Sequence, residues 1–299
     1  MTFVKRVFLF LALNFLIVMS MSIIMAIFGV QPYLQQAGLD YVSLAFFCLI
    51  YGSCASIISL FFSKSIAKSN YGVQLIDERT GDARLRELVS IVYDLARRAG
   101  IEKMPEVGIY PSSDINAFAT GFSKNSALVA VSTGLLNYMD REEIEGVLGH
   151  EISHVANGDM VTMALLQAVV NAFTMFLSRV IAYAITRPRN SEENNRPGLV
   201  YYLATWVLDF VFMTLGSILV AAYSRHREFR ADAGGANLAG PRKMQHALEK
   251  LRSQFAQIQP VAGSASTLMI SNKPIGLLER LFSSHPPLDE RIRRVSEMQ

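Results

Sequence analysis

The pentapeptide His150-Glu151-Ile152-Ser153-His154 follows directly on the acidic run Asp140-Arg141-Glu142-Glu143-Ile144-Glu145. Asp140 can cap free helical amides while Glu143 reaches back to the Asp140 amide, so the run predicts a helix that continues through the pentapeptide. Its two histidines then share one helical face and can bind one metal ion, with the glutamate beside the open side of that ion. This is the H-E-x-x-H pattern of a zinc site, and the alternative is a pair of unrelated surface histidines.

Long apolar runs set the class of protein. The chain has 299 residues and is 51% hydrophobic, more than two soluble domains of this total length would contain. Residues 7–30 and 41–63 carry no charge, and each run exceeds the length of about 20 residues that crosses a bilayer. The first run is too long for a signal peptide, whose apolar part has about 7 to 15 residues. We therefore expect residues 7–30 and 41–63 to be transmembrane helices.

Basic residues at the ends of these two runs predict their orientation. Residues 31–40, between the runs, contain no Lys or Arg. The outer ends are flanked by Lys5, Arg6, Lys64 and Lys68. By the positive-inside rule, the N-terminus and the polar residues 64–159 are expected in the cytoplasm.

Two further apolar runs, residues 160–186 and 199–224, each contain one charged residue. Arg179 and Asp209 could neutralise each other if the two runs form a hairpin across the membrane. Three arginines in the loop 187–198 disfavour an outer position for that loop, so a shallow hairpin that does not cross is the alternative.

Either two crossings or none returns the chain to the side on which it started. Residues 64–159 and residues 225–299 are therefore expected in the same compartment, whichever alternative holds for the hairpin. The zinc helix and the C-terminal polar segment can then build one site together.

Residues 64–159 predict a helix and a small sheet. Residues 81–98 place apolar side chains at helical spacing before Gly100, which is typical of an amphipathic helix. Three short apolar segments, residues 106–110, 117–121 and 127–131, are separated by turn residues and predict about three strands.

The second of these strands is a candidate substrate site. Small residues there would let another backbone approach, so that a substrate peptide could add as an extra strand through main-chain hydrogen bonds. The alternative is an ordinary core strand. The candidate residues are Asn116, Ala117, Phe118 and Ala119.

A catalytic zinc site needs a third protein ligand besides the two histidines. The next acidic segment, residues 226–232, is expected to be helical and to place Glu228 and Asp232 on one face. Glu228 can be the third ligand, with His226 as its rival. Asp232 can accept a hydrogen bond from a ligand histidine and fix its tautomer.

Three motifs, residues 150–159, 224–232 and 284–292, together resemble the HtpX family of bacterial membrane metalloproteases, which is related to the CAAX-prenyl endopeptidases. The resemblance covers nearly the whole chain. It implies a mainly α integral membrane protein with a small β-sheet, in which a zincin-like (gluzincin) metalloprotease domain is combined with four hydrophobic helices. It also implies one Zn²⁺ per chain and a bacterial inner-membrane location with the active site facing the cytoplasm.

The resemblance also implies roles for single residues. The implied zinc ligands are His150, His154 and Glu228, and Glu151 is the implied catalytic carboxylate. Glu151 is expected to take a proton from water, whose pKa zinc lowers toward about 7, and to pass it to the leaving amine. The resemblance also supports residues 116–119 as the substrate strand.

A His-Pro element near the C-terminus completes the expected site. In the family that the chain resembles this element lies near the active site, so His285 is expected to stabilise the oxyanion formed during hydrolysis. Pro286 and Pro287 fix the backbone after it, and Arg291 is a candidate partner of Asp232. The alternative for His285 is a cap on a surface helix.

The function implied by the resemblance is disposal of damaged or misfolded membrane proteins. Expected partners are unfolded polypeptides, the lipid bilayer and an FtsH-type membrane protease. A processing endopeptidase for prenylated C-termini is one alternative, although it would need a larger membrane chamber. A metal-binding scaffold or transporter is the other, but a structural zinc site is normally rich in cysteine, and Cys48 and Cys54 both lie within a predicted span. The net charge of +3 is too small to indicate nucleic acid.

Overall fold

The computed structural model describes residues 41–186, 199–257 and 281–299. The described residues fall into two compact units. We call residues 41–59 and 162–220 the apolar unit, and residues 60–161 and 221–299 the mixed unit.

The elements in chain order are α1 (Tyr41–Tyr71), β1 (Gln74–Ile76), α2 (Ala83–Arg98), β2 (Glu106–Tyr110), β3 (Ala117–Ser123), β4 (Ser126–Ser132), α3 (Thr133–Tyr138), α4 (Arg141–Asn157), α5 (Asp159–Thr186), α6 (Leu199–Ala239), α7 (Pro241–Gln257) and α8 (Leu288–Ser296).

Three helices of the described part of the chain, α1, α5 and α6, are long and apolar enough to cross a membrane. They contain the runs predicted at residues 41–63, 160–186 and 199–224, which confirms the mainly α membrane architecture with a small sheet. The first predicted span, residues 7–30, lies outside the described residues, so three of the four expected hydrophobic helices are seen.

Small and polar residues pack the helices of the apolar unit. A side chain at Gly52 would come within 2.7 Å of the Ala172 backbone nitrogen, so the glycine allows α1 and α5 to touch. Arg179 Nη1 lies 3.9 Å from Asp209 Oδ1, which joins α5 to α6 in the pairing that the sequence predicts. Charge neutralisation of this kind is what a buried ionic pair in a membrane requires.

The sheet lies in the mixed unit and has the strand order β1-β2-β4-β3. β2 and β4 are parallel, whereas β1 and β3 pair antiparallel with their neighbours. All three predicted strands are present, and two of them are slightly longer than predicted. β1 was not predicted, because three residues are too few to show a two-residue period. β3 forms the edge of the sheet.

Helices α2 and α4 contribute to one core with the sheet. α2 is capped by Asp82 and is followed by Gly100, whose φ of 68° turns the chain out of the helix as predicted. Its apolar face includes Val89 and Val92, which are fully buried. They belong to the same cluster as Leu148 and Ile152 of α4, so the helix that carries the histidines rests on the main core.

Helix α6 is one unbroken helix of 41 residues. The predicted apolar run 199–224 and the acidic segment 226–232 are therefore parts of a single element. The sequence changes from apolar to charged residues near Ser224, but the helix does not end there, because no residue at this point breaks a helix.

Candidate metal centre

The helix that presents the two histidines begins as its sequence predicts. The Glu143 amide donates to Asp140 Oδ1 and the Asp140 amide donates to Glu143 Oε2, each at 2.9 Å, which forms the expected capping box. At the other end Gly158 adopts a left-handed conformation with φ of 63°. Between these caps, His150 and His154 lie one turn apart, and both are buried.

Two glycines bring α6 against α4 at the level of the histidines. A side chain at Gly235 would come within 2.9 Å of the His150 amide nitrogen, and one at Gly234 would come within 2.0 Å of Ser153 Oγ. Backbone contact at this point places the preceding two turns of α6, with Glu228 and Asp232, over the histidine pair.

Three buried side chains converge at this crossing. His150 Nε2 and His154 Nε2 are 3.1 Å apart. They lie 3.4 Å and 3.3 Å from the two carboxylate oxygens of Glu228, which is 1% exposed. His226, the rival for the third position, is exposed to solvent. The structure therefore brings Glu228, and not His226, to the histidines.

Each histidine uses its other ring nitrogen to contact a carboxylate. His150 Nδ1 lies 2.8 Å from Asp232 Oδ1, and His154 Nδ1 lies 2.7 Å from Asp159 Oδ2. These contacts favour protons on the Nδ1 atoms and leave lone pairs on both Nε2 atoms. Asp159 was not predicted, although its position directly after the helix-ending Gly158 is a signal that could have been used.

Each of those carboxylates is in turn bound by an arginine. Arg291 donates two hydrogen bonds to Asp232, at 2.8 and 2.7 Å, which places Arg291 against the acid that the sequence suggested. Arg230 donates to Asp159 at 2.5 Å. The two histidines are thus held by two matching Arg-Asp-His chains, of which only one was predicted.

The charges of this cluster shift the pKa of its members. Burial would lower the pKa of His150, but hydrogen bonds to Asp232 and Glu228 outweigh burial and raise the pKa to about 9. Burial would raise the pKa of Glu228, but hydrogen bonds from the three surrounding histidines hold it well below its usual range. Burial likewise opposes the effect of Arg291 on Asp232, whose pKa is lowered to about 2. The lowered pKa values show that the Glu228 and Asp232 carboxylates are stabilised in their charged form by the groups beside them.

The donor set fits a metal ion. Two ligand atoms held at about 2.0–2.1 Å from one tetrahedral zinc ion lie about 3.3–3.4 Å apart, close to the separations found here. When the two imidazoles are neutral and carry their protons on Nδ1, their Nε2 lone pairs face the Glu228 carboxylate, an arrangement that a cation would stabilise. The candidate ligands are His150, His154 and Glu228, whose ligand atoms all lie within 4.8 Å of one another.

A cleft of about 190 Å³ opens beside this cluster. Glu151 lies on the cleft wall together with His150 and Glu228. Most of the other residues that line the cleft are apolar, among them Leu135, Val147, Met244, Ala247, Leu248 and Leu251. A peptide side chain of moderate size could therefore be buried next to the candidate metal ligands.

The predicted substrate strand reaches this cleft with one end. Asn116 and Ala117 line the cleft, whereas Phe118 and Ala119 do not. Asn116 hydrogen-bonds to Ser132 of β4, and because backbone groups alternate along a strand, those of Ala117 and Ala119 point away from β4. In the sheet formed by the described residues, the open edge of β3 thus starts at the cleft.

The His-Pro element forms another part of the cleft. His285 and Pro286 both line it, and His285 Nδ1 lies 2.8 Å from Glu228 Oε2. The imidazole is about half exposed, so it can face a substrate as well as the carboxylate. Arg225 holds this element to α6 by donating to the carbonyl oxygens of Leu281 and Ser283.

Comparison with known proteins places this site in a family. Residues 82–299 match the model of peptidase family M48. The chain belongs to peptidase family M48. Protease HtpX homologues from Bacillus licheniformis and Thiobacillus denitrificans are 47% and 48% identical to it, over 97% and 99% of this chain and 98% and 100% of theirs. Protease HtpX of Chromohalobacter salexigens is 46% identical over 98% of both chains. The resemblance to the HtpX family is thereby confirmed.

The fold has a solved counterpart. The crystal structure of S. mikatae Ste24p is similar with a TM-score of 0.62 and 18% identity, over 92% of this chain and 64% of that one. At this identity the similarity concerns the fold alone. As a member of peptidase family M48 with membrane-spanning helices, the protein is a membrane-associated metalloprotease, and the expected classes of enzyme and fold are confirmed.

The two Arg-Asp-His chains predict unequal effects on folding. Changing Asp232 to Asn removes the carboxylate that binds the buried Arg291 and leaves it only the longer 3.9 Å contact with Glu228. Asp159→Asn removes the carboxylate bound by Arg230, which is 43% exposed. Asp232→Asn is expected to lower the free energy of unfolding by on the order of 3 kcal/mol, and Asp159→Asn by clearly less. Thermal unfolding of the metal-free proteins in detergent measures both, and equal losses would contradict the difference.

Proposed function

We propose that this M48 peptidase is a zinc-dependent endopeptidase that cleaves unfolded or damaged membrane proteins on the cytoplasmic side of the bacterial inner membrane. The observation that carries the proposal is the buried convergence of His150, His154 and Glu228 beside a cleft that continues into the open edge of β3. A metal-activated hydrolase needs the converging ligands. A protease that accepts many unfolded sequences gains from an open strand edge, to which an extended polypeptide can add.

Zinc bound by the three ligands would supply a Lewis acid for the peptide carbonyl and would lower the pKa of water toward about 7. Glu151 is the residue of this chain that moves the proton. It follows the candidate ligand His150 and lines the same cleft, so its carboxylate can take a proton from the attacking water. The same carboxyl group then passes that proton to the leaving amine.

The edge of β3 positions the polypeptide. Main-chain hydrogen bonds from Ala117 and Ala119 would hold an extended substrate as an added strand without reading its side chains. The apolar cleft wall then selects one side chain by burial. Such recognition requires an unfolded segment, because a folded protein does not offer a free strand.

Cytoplasmic action is supported by the charges around α1. Lys64 and Lys68 follow its apolar run and both contact Glu106 of the mixed unit, at 2.8 and 2.6 Å. Basic residues at the end of a span favour the cytoplasmic side. Because residues 64–159 and 225–299 share a compartment by either topology, both parts of the proposed zinc site would lie there.

The function is tested with the purified full-length protein in proteoliposomes. We expect about one zinc ion per chain and cleavage of an unfolded membrane-protein segment, loss of cleavage after chelation, and recovery when zinc is restored. A prenylated peptide of the same length serves as the competing substrate. Cleavage of the prenylated peptide alone would favour C-terminal processing, and zinc binding without any hydrolysis would favour a scaffold.

His285→Ala should slow turnover while zinc and substrate binding persist. The expected loss is about 10² to 10³ in kcat, which is typical when one oxyanion donor is removed. kcat, KM and metal content are measured beside Arg225→Lys, which tests the bonds that hold the element. If His285→Ala loses its metal instead, the contact between His285 and Glu228 serves to hold the third ligand, and the oxyanion role is wrong.

A reporter inserted near Asn194 decides whether α5 and α6 cross the bilayer. The Arg179 and Asp209 pair makes a crossing hairpin acceptable in a membrane, so the reporter is expected to show the outer side. Reporters after Phe62 and after Gln299 should both show the cytoplasm. A cytoplasmic signal at Asn194 would mean that neither helix crosses.

A further inference from the structure

The tip of the β3–β4 hairpin presents an aromatic side chain in an unusual way. Gly121 pairs with Ala127 and Ser123 pairs with Ser126, so Phe122 is an extra residue without a partner across the strands. Such a β-bulge turns a side chain away from its regular direction. Gly121, with φ of 145°, is needed for it, because a side chain there would come within 2.1 Å of the Ser126 carbonyl oxygen.

The bulge points Phe122 at the end of a membrane helix. The ring of Phe122 stacks on that of Phe61, with centroids 5.1 Å apart and planes inclined by 13°. Phe61 and Phe62 end the apolar run of α1, and Lys64 begins the charged part. A position between an apolar run and its first lysine is where a helix meets the surface of the bilayer. Phe122 therefore lies at the same depth.

A second contact fixes the direction of the hairpin. The ring of Tyr71 packs on that of Phe118, with centroids 5.2 Å apart. Tyr71 lies ten residues after Phe61 on α1, and Phe118 lies four residues before Phe122 on β3. Ten helical residues rise about 15 Å and four strand residues about 13 Å, so β3 runs beside the last turns of α1 with its tip toward the apolar run. The start of β3 lies farther from the bilayer.

Apolar side chains around this stacked pair are exposed, and we call them the tip surface: Phe61, Phe62, Ile66 and Phe122, exposed by 64, 55, 47 and 42%. Apolar side chains that are exposed to this extent gain free energy when they leave water. The continuity with a membrane-spanning helix indicates what covers them.

We propose that the tip surface is inserted in the interfacial layer of the bilayer, so that Phe122 anchors the β3–β4 hairpin to lipid. Amphipathic elements at this layer bury their apolar face by about 5–10 Å, a depth that one ring at the end of a hairpin can reach. Lys124 in the turn is exposed and can contact anionic headgroups beside it. The edge of β3 then runs from the metal cleft to the membrane surface.

The position of Phe122 can be measured by fluorescence. The chain has one tryptophan, so Trp206→Phe gives a background into which Phe122→Trp introduces a single reporter. The full-length protein is placed in vesicles containing lipids brominated near the headgroup or near the chain end. We expect strong quenching by the shallow bromines, weaker quenching by the deep ones, and little quenching by aqueous iodide.

Two matched variants calibrate the measurement. Phe62→Trp reports the depth of the end of α1 itself. Tyr138→Trp is the aqueous control, because Tyr138 is 55% exposed and ends α3, the short helix that follows β4 at the end opposite to the hairpin tip. It should respond to iodide and not to brominated lipid.

Two outcomes would overturn the anchor. Quenching of Phe122→Trp by iodide and not by lipid would show that the tip lies in water, and protection from both quenchers would show that protein covers it. Lys124→Trp, at an exposed turn position, repeats the measurement if Phe122→Trp does not fold, with the same outcomes. Peptidase activity plays no part in this measurement, so it stands or fails independently of the proposed function.

Discussion

Glu151→Gln is expected to lose proteolysis almost completely while the protein keeps its metal and its fold. Glu151 is not among the three converging acceptors, which are His150, His154 and Glu228. The amide of glutamine has nearly the shape of the carboxylate, so the cleft and the α4 helix should be unchanged. It cannot accept a proton from water, and the loss of a general base typically costs about 10² to 10⁴ in rate.

The measurement combines kcat for an unfolded polypeptide with zinc content and thermal unfolding of the same sample. Glu142→Gln is the matched control, since Glu142 lies exposed on the same helix and the chemical change is identical. It should behave like the unchanged protein in all three assays. Substantial activity in Glu151→Gln would reject water activation by this residue, and loss of zinc would make Glu151 part of the metal site.

The parts of the fold that were predictable are those governed by neighbours in sequence. The capping box of Asp140 and Glu143, the left-handed Gly100 and the short apolar strands each depend on a few adjacent residues, and each was found where it was expected. The strand β1 is the exception, because three residues stabilised by pairing with β2 carry no periodic signal of their own.

The parts of the site that were not predictable depend on distant contacts. Arg230 binds Asp159 from a position 71 residues away, and nothing in either local sequence selects that pair. The edge position of β3 follows from the order of four strands, which local patterns do not determine. Glu228 could be proposed from helical spacing, but only the crossing at Gly235 explains why it, and not His226, meets the histidines.

The choice of Glu228 as third ligand has the most direct test. Glu228→Ala should lose zinc at least as severely as His150→Ala, because two remaining ligands do not complete a catalytic zinc site. Asp159→Asn changes a residue that only contacts a ligand, so its zinc affinity should fall by a smaller factor of about 10 to 100. Activity should disappear in Glu228→Ala at any practical zinc concentration.

The geometry around Glu228 supports this ranking. Its two oxygens face His150 and His154 separately, while His285 and Arg227 contact the same carboxylate at 2.8 and 3.1 Å. Removing the Glu228 carboxylate deletes a ligand. It also leaves the positive guanidinium of Arg227 without that partner, which further disfavours binding of a cation. Equilibrium dialysis with zinc at graded chelator concentrations ranks the variants, with His226→Ala as the control that should bind normally. Normal binding in Glu228→Ala together with loss in His226→Ala would reverse the assignment and would require α6 to turn a different face toward the histidines.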